Sequence, residues 1–119
     1  MEKLIEVEIN KKNYTLVSKR SLIIRLKKHI PEIDKIRKME ENEDREIELA
    51  VAIYENMDVI FYELIRGKQP EITKEESDVI FKNFLAEYED AEENILALIT
   101  SVFEQGIPNT EKKKLNWFK

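Results

Sequence analysis

The sequence predicts a mainly α domain of the α+β class, in which an N-terminal antiparallel β-hairpin packs on helices. Two observations carry this prediction. Apolar and charged residues alternate with period 2 at the start of the chain, and apolar residues recur at helical spacing through most of the remainder. A length of 119 residues fits a single domain. We assign residues 1–108 to it and residues 109–119 to a basic C-terminal tail.

The hairpin is predicted over residues 1–17. Apolar side chains alternate with charged ones over residues 5–9, so the apolar set should share the inward face. A polar break at 10–13 precedes a second strand at 14–17, which is rich in aromatic and β-branched residues. The break contains no glycine, so one of its two asparagines, Asn10 or Asn13, should adopt a positive φ. Because a lone hairpin is only marginally stable, helices should cover its apolar face.

A first helix should follow, with Ser18 or Ser21 as its N-cap and Pro31 at its end. Its apolar stripe consists of Leu22, Ile23, Leu26 and Ile30. A short helical piece is then predicted from the spacing of Ile33, Ile36 and Met39. The acidic residues at 40–44 indicate either a solvated loop or a helix start.

Residues 44–66 have the strongest helical periodicity in the chain, and they predict one long helix that Asp58 interrupts. Its predicted buried stripe is Ile47, Val51, Tyr54, Phe61, Leu64 and Ile65. Gly67 lies just beyond the last periodic residue, and Pro70 follows. We therefore expect Gly67 to end the helix in the left-handed conformation.

Two more helices complete the predicted domain. Thr73 and Glu76 have the spacing of a capping box, and Asp90 and Glu93 repeat it. The stripe after the first box is Ile80, Phe81, Phe84, Leu85 and Tyr88, and the stripe after the second is Ile95, Leu96, Ile99, Val102 and Phe103.

The composition gives little support to catalysis. The chain has no cysteine, one histidine and two glycines, which excludes a thiol nucleophile, a cysteine metal site and a glycine-rich phosphate loop. The acidic run at 40–48 lacks the glycine and alternation of a calcium loop, so we interpret it as a solvated surface. His29 is predicted to be exposed beside Lys27 and Lys28. We expect a protein that is not an enzyme and has no cofactor or metal.

Charge is distributed unevenly along the chain. Residues 1–38 hold 11 basic and 5 acidic side chains, residues 39–110 hold 5 and 19, and residues 111–119 hold 4 and 1. The basic region 19–38 could belong to a DNA-binding regulator, or could instead face an acidic partner or the protein's own acidic helices. Because the net charge of −5 opposes phosphate binding, we expect no nucleic-acid partner.

Several apolar side chains are candidates for partner binding. Tyr62 follows Phe61 directly, so the two rings cannot point the same way along a helix, and one should face a partner or another helix. Leu115, Trp117 and Phe118 are large apolar residues in a charged tail, where they either fold back onto the domain or contact a partner. The sequence leaves both outcomes open.

The N-terminus lacks the continuous apolar stretch of a secretory signal, and no apolar run approaches the about 20 residues that a membrane-spanning helix needs. We therefore expect a cytoplasmic protein that does not associate with membranes.

The order of these features resembles a known family. A hairpin over residues 5–16 leads directly into a helix start at Ser21 and Leu22, and an aromatic-rich helix ends at Gly67. The cap at 73–76 and a last acidic helix follow. This arrangement, over about residues 4 to 106, is similar to that of the tail assembly chaperones of long-tailed bacteriophages and of prophages in Gram-positive bacteria. The turn departs from the family, whose members commonly have an Asn-Gly turn there.

The resemblance implies a non-catalytic protein of the host bacterial cytoplasm. Such chaperones bind the tape measure protein, keep it soluble and recruit tail tube protein subunits during virion morphogenesis, and self-association is possible. The alternative that we keep open is a small adaptor, or a DNA-binding regulatory protein that uses the basic 19–38 region.

Overall fold

A computed structural model describes residues 2–105 of the chain. Over these residues two strands are followed by six helices, and the predicted α+β class is confirmed. The elements are β1 (Glu2–Ile9), β2 (Lys12–Lys19), α1 (Ser21–His29), α2 (Glu32–Arg37), α3 (Glu43–Glu55), α4 (Met57–Ile65), α5 (Lys74–Glu87) and α6 (Ala91–Gln105). The predicted basic tail at 109–119 lies outside the described residues.

The predicted hairpin forms, but its turn has two residues and not the four of the predicted break at 10–13, since β2 already begins at Lys12. Ile9 pairs with Lys12, which leaves Asn10 and Lys11 as the central residues of the turn, with φ angles of 52° and 67°. Two-residue turns that match the twist of the strands require positive φ at both central positions. The positive φ predicted for Asn10 is therefore confirmed. The second one falls on Lys11, because the tight register places Asn13 inside β2.

Helices cover the hairpin, as the sequence predicts. Ile9 and Leu16 are buried against them. The backbone N–H of Asn10 donates to Glu87 Oε2 at 2.8 Å, and the Tyr88 hydroxyl donates to the carbonyl of Glu8 at 2.6 Å. These two hydrogen bonds hold the turn against the end of α5.

Gly67 lies just beyond the end of α4, as predicted, but a glycine is needed there for a different reason. No glycine of the described residues has a positive φ, so the expected left-handed conformation is wrong. A Cβ atom added at Gly67 would lie 2.5 Å from the Cβ of Val17, which is fully buried in β2. The glycine is needed because β2 passes directly over the end of α4.

The helix ends follow the sequence only in part. The predicted serine caps of α1 are wrong: Arg20 precedes the helix without a side-chain cap, Ser18 is buried in β2, and the Ser21 hydroxyl accepts from Arg25 at 3.3 Å. Pro31 does follow the end of α1. The capping box of α5 is confirmed, since Thr73 Oγ1 accepts from the Glu76 N–H at 3.1 Å and Glu76 Oε1 accepts from the Thr73 N–H at 2.9 Å.

The core is centred on α4. Phe61 is fully buried, and its ring centroid lies 5.1 Å from that of Phe81 and 5.7 Å from that of Phe84. The side of α1 and α2 that meets this core is aliphatic, with Leu22, Leu26, Ile30, Ile33 and Ile36 all buried.

Candidate partner-binding surface

The single helix predicted over 44–66 is two helices in the structure, α3 and α4, and they meet at Asn56. Asn56 has φ −125° and ψ 27°, and its side-chain amide donates to the carbonyl of Ala52 at 2.8 Å. An asparagine side chain that bonds to nearby backbone competes with helix continuation, which explains the break. The interruption that the sequence suggested at Asp58 lies two residues earlier.

The face of α3 that the sequence predicted to be buried is instead exposed. Ile47, Val51 and Tyr54 have exposed fractions of 55%, 48% and 42%. The residues that α3 does bury are Arg45, Leu49, Ala52 and Ile53. Since each residue advances about 100° around a helix, the two sets lie on roughly opposite sides of α3. For the α4 half the prediction is right, because Phe61, Leu64 and Ile65 are all fully buried.

We call Ile47, Val51 and Tyr54 the outer face of α3. Their spacing of i, i+4 and i+7 places them in one row along the helix. Every exposed ionisable side chain on α3 is acidic, and these side chains are Glu43, Asp44, Glu46, Glu48 and Glu55. The outer face is therefore an apolar row with an acidic surround.

Arg45 fixes which side of α3 is buried. Its Nε donates to the carbonyl of Ile36 at 3.3 Å, and its guanidinium lies 5.0 Å from the ring centroid of Phe103. These contacts attach α3 to α2 and α6 with Arg45 turned inward. The start of α3 is fixed by Asn42, whose Oδ1 accepts from the Arg45 N–H at 3.0 Å. With this side held down, the opposite row is left uncovered by the rest of residues 2–105.

A groove of about 220 Å³ runs between α3 and α6 beside the outer face. Its walls include Ala50 and Leu49 from α3 and Leu96, Thr100 and Phe103 from α6. Ala50 lies between the groove and the outer face on the helix surface. The groove and the outer face are therefore adjacent on the surface of α3.

A polar cluster lies between α1 and α4, and the carboxylate at its centre, that of Glu63, is buried. Glu63 is 1% exposed, and its carboxylate accepts from Arg25 Nε at 2.9 Å and from Arg66 Nη1 at 3.2 Å. His29 Nε2 lies 3.4 Å from the same carboxylate. The prediction that His29 is exposed is confirmed. The role of Glu63 was missed, although a lone carboxylate within the apolar run of α4 was the available signal.

The basic region 19–38 is partly neutralised by the protein's own carboxylates. Lys27 and Lys38 lie 3.2 Å and 3.8 Å from Asp34, and Arg25 binds Glu63. The hydrogen bond and positive charge of Lys27 hold the pKa of Asp34 below its ordinary value. These contacts agree with the interpretation that the basic residues face the protein's own acidic groups.

Tyr62 is half-buried, and the guanidinium of Arg66 lies 5.1 Å from its ring centroid. It lies away from the row of α3, and its role in partner binding stays a prediction. The other predicted contacts, Leu115, Trp117 and Phe118, lie outside the described residues.

Over residues 2–105, no three His, Cys, Asp or Glu side chains come together as a group that could hold a metal ion. No helix in the same range has the length and apolar character needed to cross a bilayer. Comparisons of the chain with family models, curated proteins and solved structures found no match.

Proposed function

We propose that this protein is a non-catalytic binding protein that holds an amphipathic helix of another polypeptide along the outer face of α3. The observation that carries the proposal is the apolar row of Ile47, Val51 and Tyr54, which is exposed while the opposite side of α3 is buried. Helix-in-groove recognition uses this spacing of apolar anchors on both partners.

The charge around the row defines the partner. Because the exposed ionisable groups of α3 are all acidic, a helix with lysine or arginine beside its apolar stripe fits best. A second copy of α3 fits poorly, since two acidic surrounds would face each other across the contact. Self-association through another surface stays a prediction.

The apolar row by itself supports only reversible binding. Covering three half-exposed side chains contributes about 1 kcal/mol each, whereas association costs at least about 4 kcal/mol in lost freedom. The groove beside α6 and the surrounding carboxylates must supply the remainder. Reversible capture suits a protein that holds a helix temporarily and then releases it.

Within this class, we propose the role of a phage tail assembly chaperone in the host bacterial cytoplasm, on the resemblance of the hairpin and helix order. The partner is then the tape measure protein, whose long helices expose apolar surface until the tail tube encloses them. The tail tube protein is the second partner, recruited to the complex. A small adaptor would use the same surface. A gene for this chain located between tail tube and tape measure genes would favour the chaperone role over the adaptor role.

Co-expression with the tape measure protein of the same genome tests the proposal. The variant Val51→Lys places a positive charge in the centre of the row, and we expect it to lower the yield of soluble tape measure protein severalfold. Val79→Lys is the matched control, because Val79 is 62% exposed on α5 and lies outside the row. It should behave as the unchanged chain does. Equal yields with both variants would exclude the outer face as the binding surface.

A further inference from the structure

The segment 106–119, which follows α6, combines basic and apolar residues, as we expect of a partner of the outer face of α3. It contains one acidic and four basic residues, Glu111 against Lys112, Lys113, Lys114 and Lys119. Towards its end it also carries three large apolar residues, Leu115, Trp117 and Phe118, which could cover the three of the row. We propose that this segment docks on the outer face of α3 in its own chain and occupies it until a helical partner displaces it.

The segment is long enough to reach the row. The last residue of α6 is Gln105, and Phe103 lines the groove against α3. Leu115 lies ten positions beyond Gln105, which corresponds to about 33 Å of extended chain. The 13 residues of α3 span only about 20 Å, so the whole outer face is within range.

Charge selects this face over the other surface near the end of α6. A cavity of about 350 Å³ also adjoins Val102 and Phe103, but Arg20 and Arg37 line it. A lysine-rich segment is repelled there and attracted to the acidic surround of α3. The attraction acts between exposed charges, so it should weaken as salt shortens the screening length to about 3 Å at 1 M.

Docking of this segment would regulate binding at the outer face of α3. This inference rests on the proposed function. A segment that covers the face competes with an incoming helix, and the apparent affinity falls by the fraction of time that the face is free. The apolar residues of the segment are then an internal competitor for the partner. This also answers the question that the sequence leaves open, in favour of folding back onto the domain.

Trp117 is the only tryptophan of the chain, so its fluorescence reports on the segment directly. In the full-length protein we expect emission at shorter wavelength than that of free tryptophan and protection from acrylamide quenching. Val51→Lys should shift the emission to longer wavelength and raise the quenching constant severalfold. Val79→Lys should change neither, and circular dichroism would confirm that both variants keep their helices.

Three results would overturn the inference. Emission typical of water-exposed tryptophan in the unchanged protein would mean that the segment does not dock. Buried emission that Val51→Lys leaves unaltered would place the segment elsewhere. Burial that disappears on dilution would assign the contact to a second copy and not to the same chain.

A competition experiment separates this inference from the proposed function. The double variant Trp117→Ala, Phe118→Ala should bind a tape measure segment up to about tenfold more tightly, if the face is covered nine-tenths of the time. Weaker binding would make the two aromatics partner contacts and overturn the inference, while the proposed function stands. The opposite pair of results would overturn the proposed function alone. In that case Trp117 is docked in the unchanged protein, but Val51→Lys keeps the tape measure protein as soluble as the unchanged chain does.

Discussion

The helices α3 and α4 arise from one continuous stretch of helical periodicity, yet their surroundings differ. Around α4 lie β2, α1, α3, α5 and α6, so five of its apolar residues and even Glu63 are buried. The packing partners of α3 are α2, α4 and α6, which bury one side and leave Ile47, Val51 and Tyr54 in solvent. Similar apolar residues are thus part of the core in one helix and exposed in the other.

The largest contrast should come from removing an aromatic ring on each helix. Phe61→Ala deletes a ring packed between Phe81 and Phe84, and we expect a loss of about 3–5 kcal/mol in the free energy of unfolding. Tyr54→Ala removes a ring that is 42% exposed, and it should cost about 0.5 kcal/mol. Urea denaturation at constant slope measures both. Similar losses would show that the outer face of α3 belongs to the core.

The buried carboxylate of α4 provides the next contrast. Glu63→Gln keeps the side-chain shape but removes the charge that accepts from Arg25 and Arg66, and we expect a loss of about 1.5–3 kcal/mol. Glu48→Gln changes an exposed carboxylate on α3 in the same way and should leave the free energy of unfolding nearly unaltered. If both variants lose the same free energy of unfolding, the hydrogen bonds of Glu63 do not hold α1 to α4.

A smaller effect is expected at the end of α4. Gly67→Ala places a methyl group 2.5 Å from the Cβ of Val17, and the strain should lower the free energy of unfolding by about 1–3 kcal/mol. Adding Val17→Ala to this variant should recover part of what the alanine at 67 alone loses, because it removes the two Cγ atoms of Val17, at 2.6 Å and 3.2 Å, and leaves only its Cβ. A double variant with strictly additive losses would show that the two residues do not meet.

The smallest effect concerns the link between α4 and α5. Lys74 donates to Asp58 at 3.1 Å and to Asp78 at 2.7 Å. Burial alone would raise the pKa of Asp58, but the hydrogen bonds from Lys74 and from the backbone N–H groups of Val59 and Asp58, together with the positive charge of Lys74, outweigh it, and the pKa falls below 3.8. Burial alone would lower the pKa of Lys74, but its hydrogen bonds to Asp78 and Asp58 raise it above 10.5.

Both shifts favour the charged forms of Asp58 and Lys74. The link should therefore stabilise the fold at pH values between the ordinary pKa of Asp58 and that of Lys74. The contribution is lost as the pH falls through the lowered pKa of Asp58 or rises through the raised pKa of Lys74. We expect Lys74→Met to cost at most about 1 kcal/mol at neutral pH, since all three groups are partly exposed. The difference from the unchanged protein should vanish once the pH falls well below the lowered pKa of Asp58. A difference that persists there would assign the loss to packing of the lysine stem.

Local signals in the sequence were sufficient for much of the fold. The alternation at 5–9, the cap at Thr73 and the stop at Pro31 act through neighbours in the chain, and the structure has each of them. The positive φ of Asn10 could also be foreseen, because a hairpin turn without glycine has few residues that tolerate it.

The candidate surface could not be assigned from the sequence, because α3 has two apolar rows with helical spacing. Periodicity finds both rows but does not say which one meets the core. The decision depends on Arg45, which bonds to Ile36 and lies against Phe103, and these contacts join distant parts of the chain. The contact between Gly67 and Val17 has the same non-local character, and the glycine was therefore assigned the wrong role.

The most direct test of the central claim is a titration of the isotope-labelled protein with a synthetic amphipathic helix of leucine and lysine, followed by the amide chemical shifts. We expect the largest shift changes at Ile47, Val51 and Tyr54, decreasing with added salt and absent with a matched peptide of leucine and glutamate. Changes centred on the hairpin, or no changes at α3 with the basic peptide, would contradict the assignment of its outer face as a docking surface.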